Sequence, residues 1–266
     1  MNGLINRMEW TMVSLGLRER WQSVRSNWRQ LAGGWAIGSL AWLAAIGPLA
    51  ALPPEEIARK LEAVPVFALT DAQGTPALID VGNADGQRTT VARMFLNPQD
   101  AQEWLKRLQA GAVSSSSELR VNAIPLSAIY ELLQKPSTEY QLQLIPDLEE
   151  VKLARELLAL NQQPPEKLQG IPLFLVTASD GSAPTYVTVD RDGTEEIRFY
   201  MDRAQAELVA KTFAEQNPEL AATVQIQVVD FDEFLSVLSE REDEWLSRVR
   251  IIPSQTAQAF FETMGN

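Results

Sequence analysis

Two sets of polar residues have types and spacing that could do chemistry. Asp190-Arg-Asp192-Gly193 begins like a calcium loop, with alternate carboxylates and then a glycine. Such a loop needs a glutamate at its twelfth position, and that position is Met201, so the loop is excluded. Asp-Gly is also the commonest hairpin signal, and Asn83-Ala-Asp85-Gly86 repeats it. Glu149, Glu150, Glu240, Glu242, Asp243 and Glu244 could pair for acid–base work, but all lie in polar runs that read as solvated helix faces. The chain has no histidine and no cysteine. That removes the imidazole base, the serine–histidine triad, the thiolate nucleophile and cysteine-ligated zinc. No glycine-rich phosphate loop is present. The residues point to a protein that is not an enzyme and that uses no cofactor or metal.

The aromatic residues carry more of the argument. Phe67, Phe95, Trp104, Tyr130, Phe174, Phe199, Tyr200, Phe213, Phe231, Phe234, Phe260 and Phe261 all fall on apolar strands or helix stripes. Taken one at a time, core packing explains each. Helices paired over a sheet could also leave an apolar groove, and a duplicated chain would make two.

The elements that would position these residues are written twice. Lys60-Leu-Glu-Ala-Val-Pro-Val-Phe-Ala-Leu-Thr70 aligns with Lys167-Leu-Gln-Gly-Ile-Pro-Leu-Phe-Leu-Val-Thr177. In the same order Gly74 meets Gly181, Arg93-Met-Phe-Leu-Asn97 meets Arg198-Phe-Tyr-Met-Asp202, and Leu144-Ile-Pro-Asp147 meets Ile251-Ile-Pro-Ser254. Each copy is ~105 residues, a normal folding unit. Within the first, strands at Phe67 to Thr70, Ala77 to Val81 and Val91 to Leu96 are separated by tight turns and read as an antiparallel meander. Asn97 caps a helix with Pro98 at its first position, and Ala101, Trp104, Leu105 and Leu108 form its apolar stripe. A strand, a helix from Ser127, a last strand Gln141 to Ile145 and a closing helix capped by Asp147 follow. Asp202 and Ser254 are the corresponding caps of the second copy. Ser114 to Ser117 reads as a polar loop, and Gln162-Gln-Pro-Pro165 as the joint between halves. The expected fold is therefore α+β with an internal tandem duplication. Its two pseudo-symmetric halves, 60–166 and 167–266, would each have an antiparallel β-sheet packed against helices.

Residues 1–51 read as an address. Arg18, Arg20, Arg25 and Arg29 precede an apolar run from Leu31 to Leu49, then small residues around Pro48. That is the order of a secretory signal, with a cut near Ala50 or Ala51. The charge-free stretch of ~20 residues could also span a bilayer as an uncleaved anchor. Gly33, Gly34, Gly38 and Pro48 weigh against that. The net charge of −12 excludes nucleic acid as a partner, because such binding needs basic residues to neutralise phosphates.

Leu61-Glu-Ala-Val-Pro-Val-Phe-Ala-Leu-Thr70, Gln143-Leu-Ile-Pro-Asp147 and Val249-Arg-Ile-Ile-Pro-Ser-Gln255 carry a resemblance. The chain resembles, over essentially its whole mature length, the Tic22-like family in its cyanobacterial form. Its chloroplast members are the soluble twenty-two-kilodalton subunit of the inner-envelope translocon. The resemblance implies a periplasmic protein, with the thylakoid lumen or membrane association as alternatives. It also implies a two-lobed fold with apolar pockets and a chaperone role in protein translocation and outer-membrane biogenesis. Its partners would be unfolded or translocating proteins and components of the translocon or outer-membrane assembly. The alternative is an adaptor that docks on one folded membrane partner. No catalytic residue comes with the family. If clients bind in grooves, the closing helices have no later element of their own copy to cover them. Leu157, Leu158, Phe260 and Phe261 are therefore the expected lining, with Trp104 and Tyr130 next.

Overall fold

The computed structural model describes residues 51–264 apart from 83–87, 111–117, 136–138, 180, 182, 183, 193 and 242. The expected export segment, the Asn83 to Gly86 turn and the Ser114 to Ser117 loop fall outside the described residues, as do Gly193 and Glu242.

The first described element is a helix that the sequence reading does not predict, α1 (Pro54–Leu61). Proline at its start, Glu55 and Glu56 in its first turn and Arg59 and Lys60 in its last suit the helix dipole. Its buried residues are Ile57, Ala58, Lys60 and Leu61.

The first sheet holds β1 (Pro65–Thr70), β2 (Leu78–Gly82), β3 (Arg88–Phe95), β4 (Arg120–Pro125) and β5 (Gln141–Ile145). The second holds β6 (Pro172–Ala178), β7 (Thr185–Tyr186), β8 (Thr188–Arg191), β9 (Thr194–Tyr200), β10 (Gln225–Asp230) and β11 (Val249–Ile252). The backbone of the first runs β4-β1-β3-β5 and that of the second β10-β6-β9-β11. In each, the last pair is parallel and the other two are antiparallel. The registers correspond as well. Phe67 lies between Phe95 and Ala123, and Phe174 between Tyr200 and Val228. Phe95 faces Ile145, and Tyr200 faces Ile252. Two sheets of one topology and one register fit the tandem pattern of the sequence.

The simple meander is not what forms. β2 runs beside the first part of β3, while β1 pairs with the end of β3 and along all of β4. β1 does not pair with β2 itself; Thr70 bridges Pro76 and Leu69 O accepts from Ala77 N at 2.8 Å, both ahead of β2. The physical reason lies in the sequence of β1, in which all six residues are buried. A strand apolar on both faces needs a central place, and a meander would leave it at an edge. The parallel pairs β3–β5 and β9–β11 likewise make each sheet mixed rather than wholly antiparallel.

One face of both sheets meets a shared central core. Val66 and Ala68 of β1 and Leu173 and Leu175 of β6 pack there with Ile57 and Leu61 of α1. α3 (Leu126–Gln134) adds Ile129, and α6 (Phe231–Glu240) adds Phe234. α1 ties the halves together: Lys60 Nζ donates to the carbonyls of Ser247 and Val249, each at 3.2 Å. Burial above all, and then Arg250, pushes the Lys60 ammonium down to about 8.

The opposite face of each sheet is covered by two helices, and here the halves exchange parts. α2 (Pro98–Ala110) covers the first sheet and α5 (Arg203–Gln216) the second. α4 (Leu148–Leu160), written in the first half, packs on the second sheet: Val151, Ala154 and Leu158 cluster with Phe174, Val176, Tyr200 and Ala206. α7 (Gln255–Met264), at the end of the second half, packs on the first: Ala257 and Phe260 cluster with Phe67, Leu69, Phe95 and Ala101. The closing helices have no later element of their own copy over them, as expected, but each is covered by the other half.

Candidate binding surface

The exchange brings four helix starts to one junction. Asn97 Oδ1 accepts from Gln99 N at 2.9 Å at the start of α2, and Asp147 Oδ1 from Glu149 N at 3.0 Å at the start of α4. Asp202 Oδ1 accepts from Gln205 N at 3.3 Å for α5, and Ser254 Oγ from Ala257 N at 3.2 Å for α7. The caps also bond across. Asn97 Nδ2 donates to Asp147 Oδ2 at 2.7 Å, Gln255 N to Asp202 Oδ2 at 3.4 Å, and Arg203 N to Glu150 Oε2 at 3.0 Å. All four cap residues are those expected from the sequence, and their side chains satisfy amides that a helix start leaves unpaired.

A concavity opens at this junction between corresponding residues of the two halves: Val64 and Ile171, Pro65 and Pro172, Leu96 and Met201. It is a shallow hollow of ≈ 340 Å³ that is open to solvent. Glu150 lines it, and its carboxyl is pushed up to about 7. Burial is the main cause; the Arg203 amide opposes it, and Asp202 and Asp147 add to it. A second concavity, ≈ 200 Å³ and equally shallow, lies between β1, β2, β3 and α2. Neither has the depth of a groove for a polypeptide, which would have to bury most of its ligand's surface. Among the described residues no group of three or more carboxylates is placed to hold a metal ion.

The six residues expected to line a groove do not meet in one. Leu158 is 3% exposed and belongs to the core over the second sheet, with Leu157 half-buried beside it. Phe260 packs edge-on to Phe67, with ring centroids 5.3 Å apart, and Trp104 lies in the same cluster over the first sheet. Tyr130 packs against the central core, and burial pushes its hydroxyl up. Only Phe261, at 54%, is openly exposed.

Other exposed apolar side chains share the helical layers with Phe261. Met264 of α7, Leu148 and Leu160 of α4 and Leu208 of α5 all face outward; Leu160 is 74% and Leu208 61% exposed. The sequence held a signal for Leu208. Leu208 stands off the stripe Ala206, Val209, Ala210 and Phe213, and an apolar residue off its helix's buried stripe is placed toward solvent. Arg93 is the other residue missed. Its guanidinium lies 4.6 Å from the Trp104 ring centroid, and Nε donates to Gln143 Oε1 at 3.0 Å.

Comparison with known proteins agrees with this architecture. The model of the Tic22-like family matches residues 14–263. Among solved structures, Anabaena Tic22, described as a protein of protein transport, superposes with a TM-score of 0.68 at 23% identity. That match covers 80% of this chain and 97% of the other. Tic22 from Plasmodium falciparum superposes with a TM-score of 0.59 at 20% identity, over 79% of this chain and 97% of its own. At these identities the likeness carries the fold. No curated protein sequence matches the chain.

Proposed function

The chain belongs to the Tic22-like family, and on that premise we propose that it serves protein transport as a periplasmic, chaperone-like protein that holds unfolded clients bound for the outer membrane. The observation that carries the reading is the set of exposed apolar side chains on the outer helices: Leu148, Leu160 and Leu208 over the second sheet, Phe261 and Met264 over the first. Unfolded chains offer scattered apolar side chains, and burial is non-directional, so a dispersed apolar surface accepts many sequences. The shallow concavities favour this surface over enclosed grooves as the place of binding. A net charge of −12 keeps such a surface from associating with copies of itself. The periplasmic location rests on the signal-like order of residues 1–51; among the described residues no helix is long and apolar enough to cross a membrane. We also propose that residues 60–166 and 167–266 are the two repeats, joined near Gln162 to Pro165.

The competing reading is an adaptor for one folded membrane partner. Light scattering separates the two. Several unrelated urea-denatured outer-membrane proteins are diluted with and without this protein. Slowed aggregation of all of them supports a chaperone. No effect on any, together with tight binding to one folded partner, supports the adaptor.

A further inference from the structure

Corresponding arginines of the two halves have different surroundings. Arg198 of β9 donates to Glu196 at 2.9 Å, and Arg250 of β11 approaches the same carboxylate at 3.5 Å. By the matched registers, the first-half positions of Glu196 and Arg250 are Val91 and Gln143. Arg93 therefore sits opposite a neutral amide in β5, with Val91 where its counterpart finds a carboxylate. Among the described residues no carboxylate lies within ion-pair distance of it. Its Nε donates to Gln143 Oε1 and its Cζ lies 4.6 Å from the Trp104 ring centroid, and among the described residues the terminal nitrogens have no hydrogen-bond acceptor. Half-burial pushes its pKa below the ordinary arginine value.

Arg93 stands in the second concavity, whose other walls are Leu69, Ala77, Ile79, Phe95 and Trp104. A guanidinium among apolar walls fits an anion joined to an apolar body. The anion is singly charged, because one cation in an acidic molecule is a poor match for a phosphate dianion. We propose that Arg93 and Trp104 form a subsite for a carboxylate carried by an apolar, extended segment of the client. The guanidinium takes the carboxylate, and Leu69, Ala77 and Ile79 take the neighbouring side chain. The proposal rests on the client-binding reading and adds to the exposed apolar surface a separate shallow site that selects one chemistry.

The test uses the full chain and a dye-labelled Ala-Leu-Ala-Leu-Phe peptide in three forms, followed by fluorescence polarisation. One form ends in a free carboxylate. The second ends in an amide. The third ends in an amide and carries one internal glutamate in place of a leucine. The expected result is about tenfold weaker binding of the neutral peptide than of at least one charged form, as for loss of a charge-assisted hydrogen bond. Which charged form binds tells whether the chain terminus or an acidic side chain is the source. Arg93→Gln should weaken the favoured charged peptide by a similar factor and leave the neutral one unchanged, and Arg93→Lys should recover part of the loss. Equal affinity for all three peptides overturns the subsite, as does an equal effect of Arg93→Gln on charged and neutral forms. If aggregation of denatured clients is still slowed in that case, only the subsite fails. If it is not, the client-binding reading fails too.

Discussion

Glu150 lies where four helices begin, and its carboxyl is the polar group most altered by the junction. Its folded value of about 7 is above the ordinary 4.5, so the folded state holds the proton more tightly than the unfolded chain does. The stability this contributes is complete below 4.5 and is lost as pH rises through about 7. Asp232, pushed up to about 6 by burial and by Asp230, acts in the same direction. Glu150→Gln keeps an acceptor for the Arg203 amide and removes the ionisation. Urea denaturation should find this variant equal to the parent near pH 4.5. It should be more stable by about 1 kcal/mol at pH 7.5, after discounting the shift for solvent screening at a partly exposed group. The neighbouring phenylalanines offer a second contrast. Phe260→Ala removes a ring packed on Phe67 and should cost about 1–2 kcal/mol of stability, whereas Phe261→Ala, at an exposed site, should change it by less than about 0.5.

The closing helices decide how the elements depend on one another. Without α4, the second sheet would expose Phe174, Val176 and Tyr200; without α7, the first would expose Phe67, Leu69 and Phe95. Chains 52–166 and 167–264, made separately, should therefore show no cooperative thermal melt by circular dichroism, and mixing them should restore one. A cooperative melt of either piece alone would contradict the exchange. Much at this scale was legible in sequence. β5 has its expected bounds, and Asn97, Asp147, Asp202 and Ser254 cap the expected helices, because caps and turns are set by neighbours in the chain. The exchange was not legible, because the stripe Val151, Ala154, Leu158 shows that a sheet covers α4 but not which one. For the same reason Leu157, Leu158 and Phe260 read as groove lining before the structure placed them against the other half. α1 was hidden by its brevity: Ile57, Ala58 and Leu61 are too few to show a period.

At the scale of the molecule, three apolar clusters use up most of the large side chains, and of the seven large apolar side chains left exposed among the described residues five lie on the outer helices of an acidic body, the others being Leu78 of β2 and Leu132 of α3. The proposed chaperone role places client binding on that surface rather than in a preformed groove. The direct test is a triple variant, Leu160→Ser, Leu208→Ser and Phe261→Ser, with all three changes at exposed sites so that the melting temperature stays within about 3 °C of the parent. Light scattering of a urea-denatured outer-membrane β-barrel protein, diluted in the presence of each, is the measurement. The parent should slow aggregation, and the folded triple variant should need about tenfold more protein to match it. A triple variant that protects as well as the parent would show that clients bind elsewhere than on these exposed side chains.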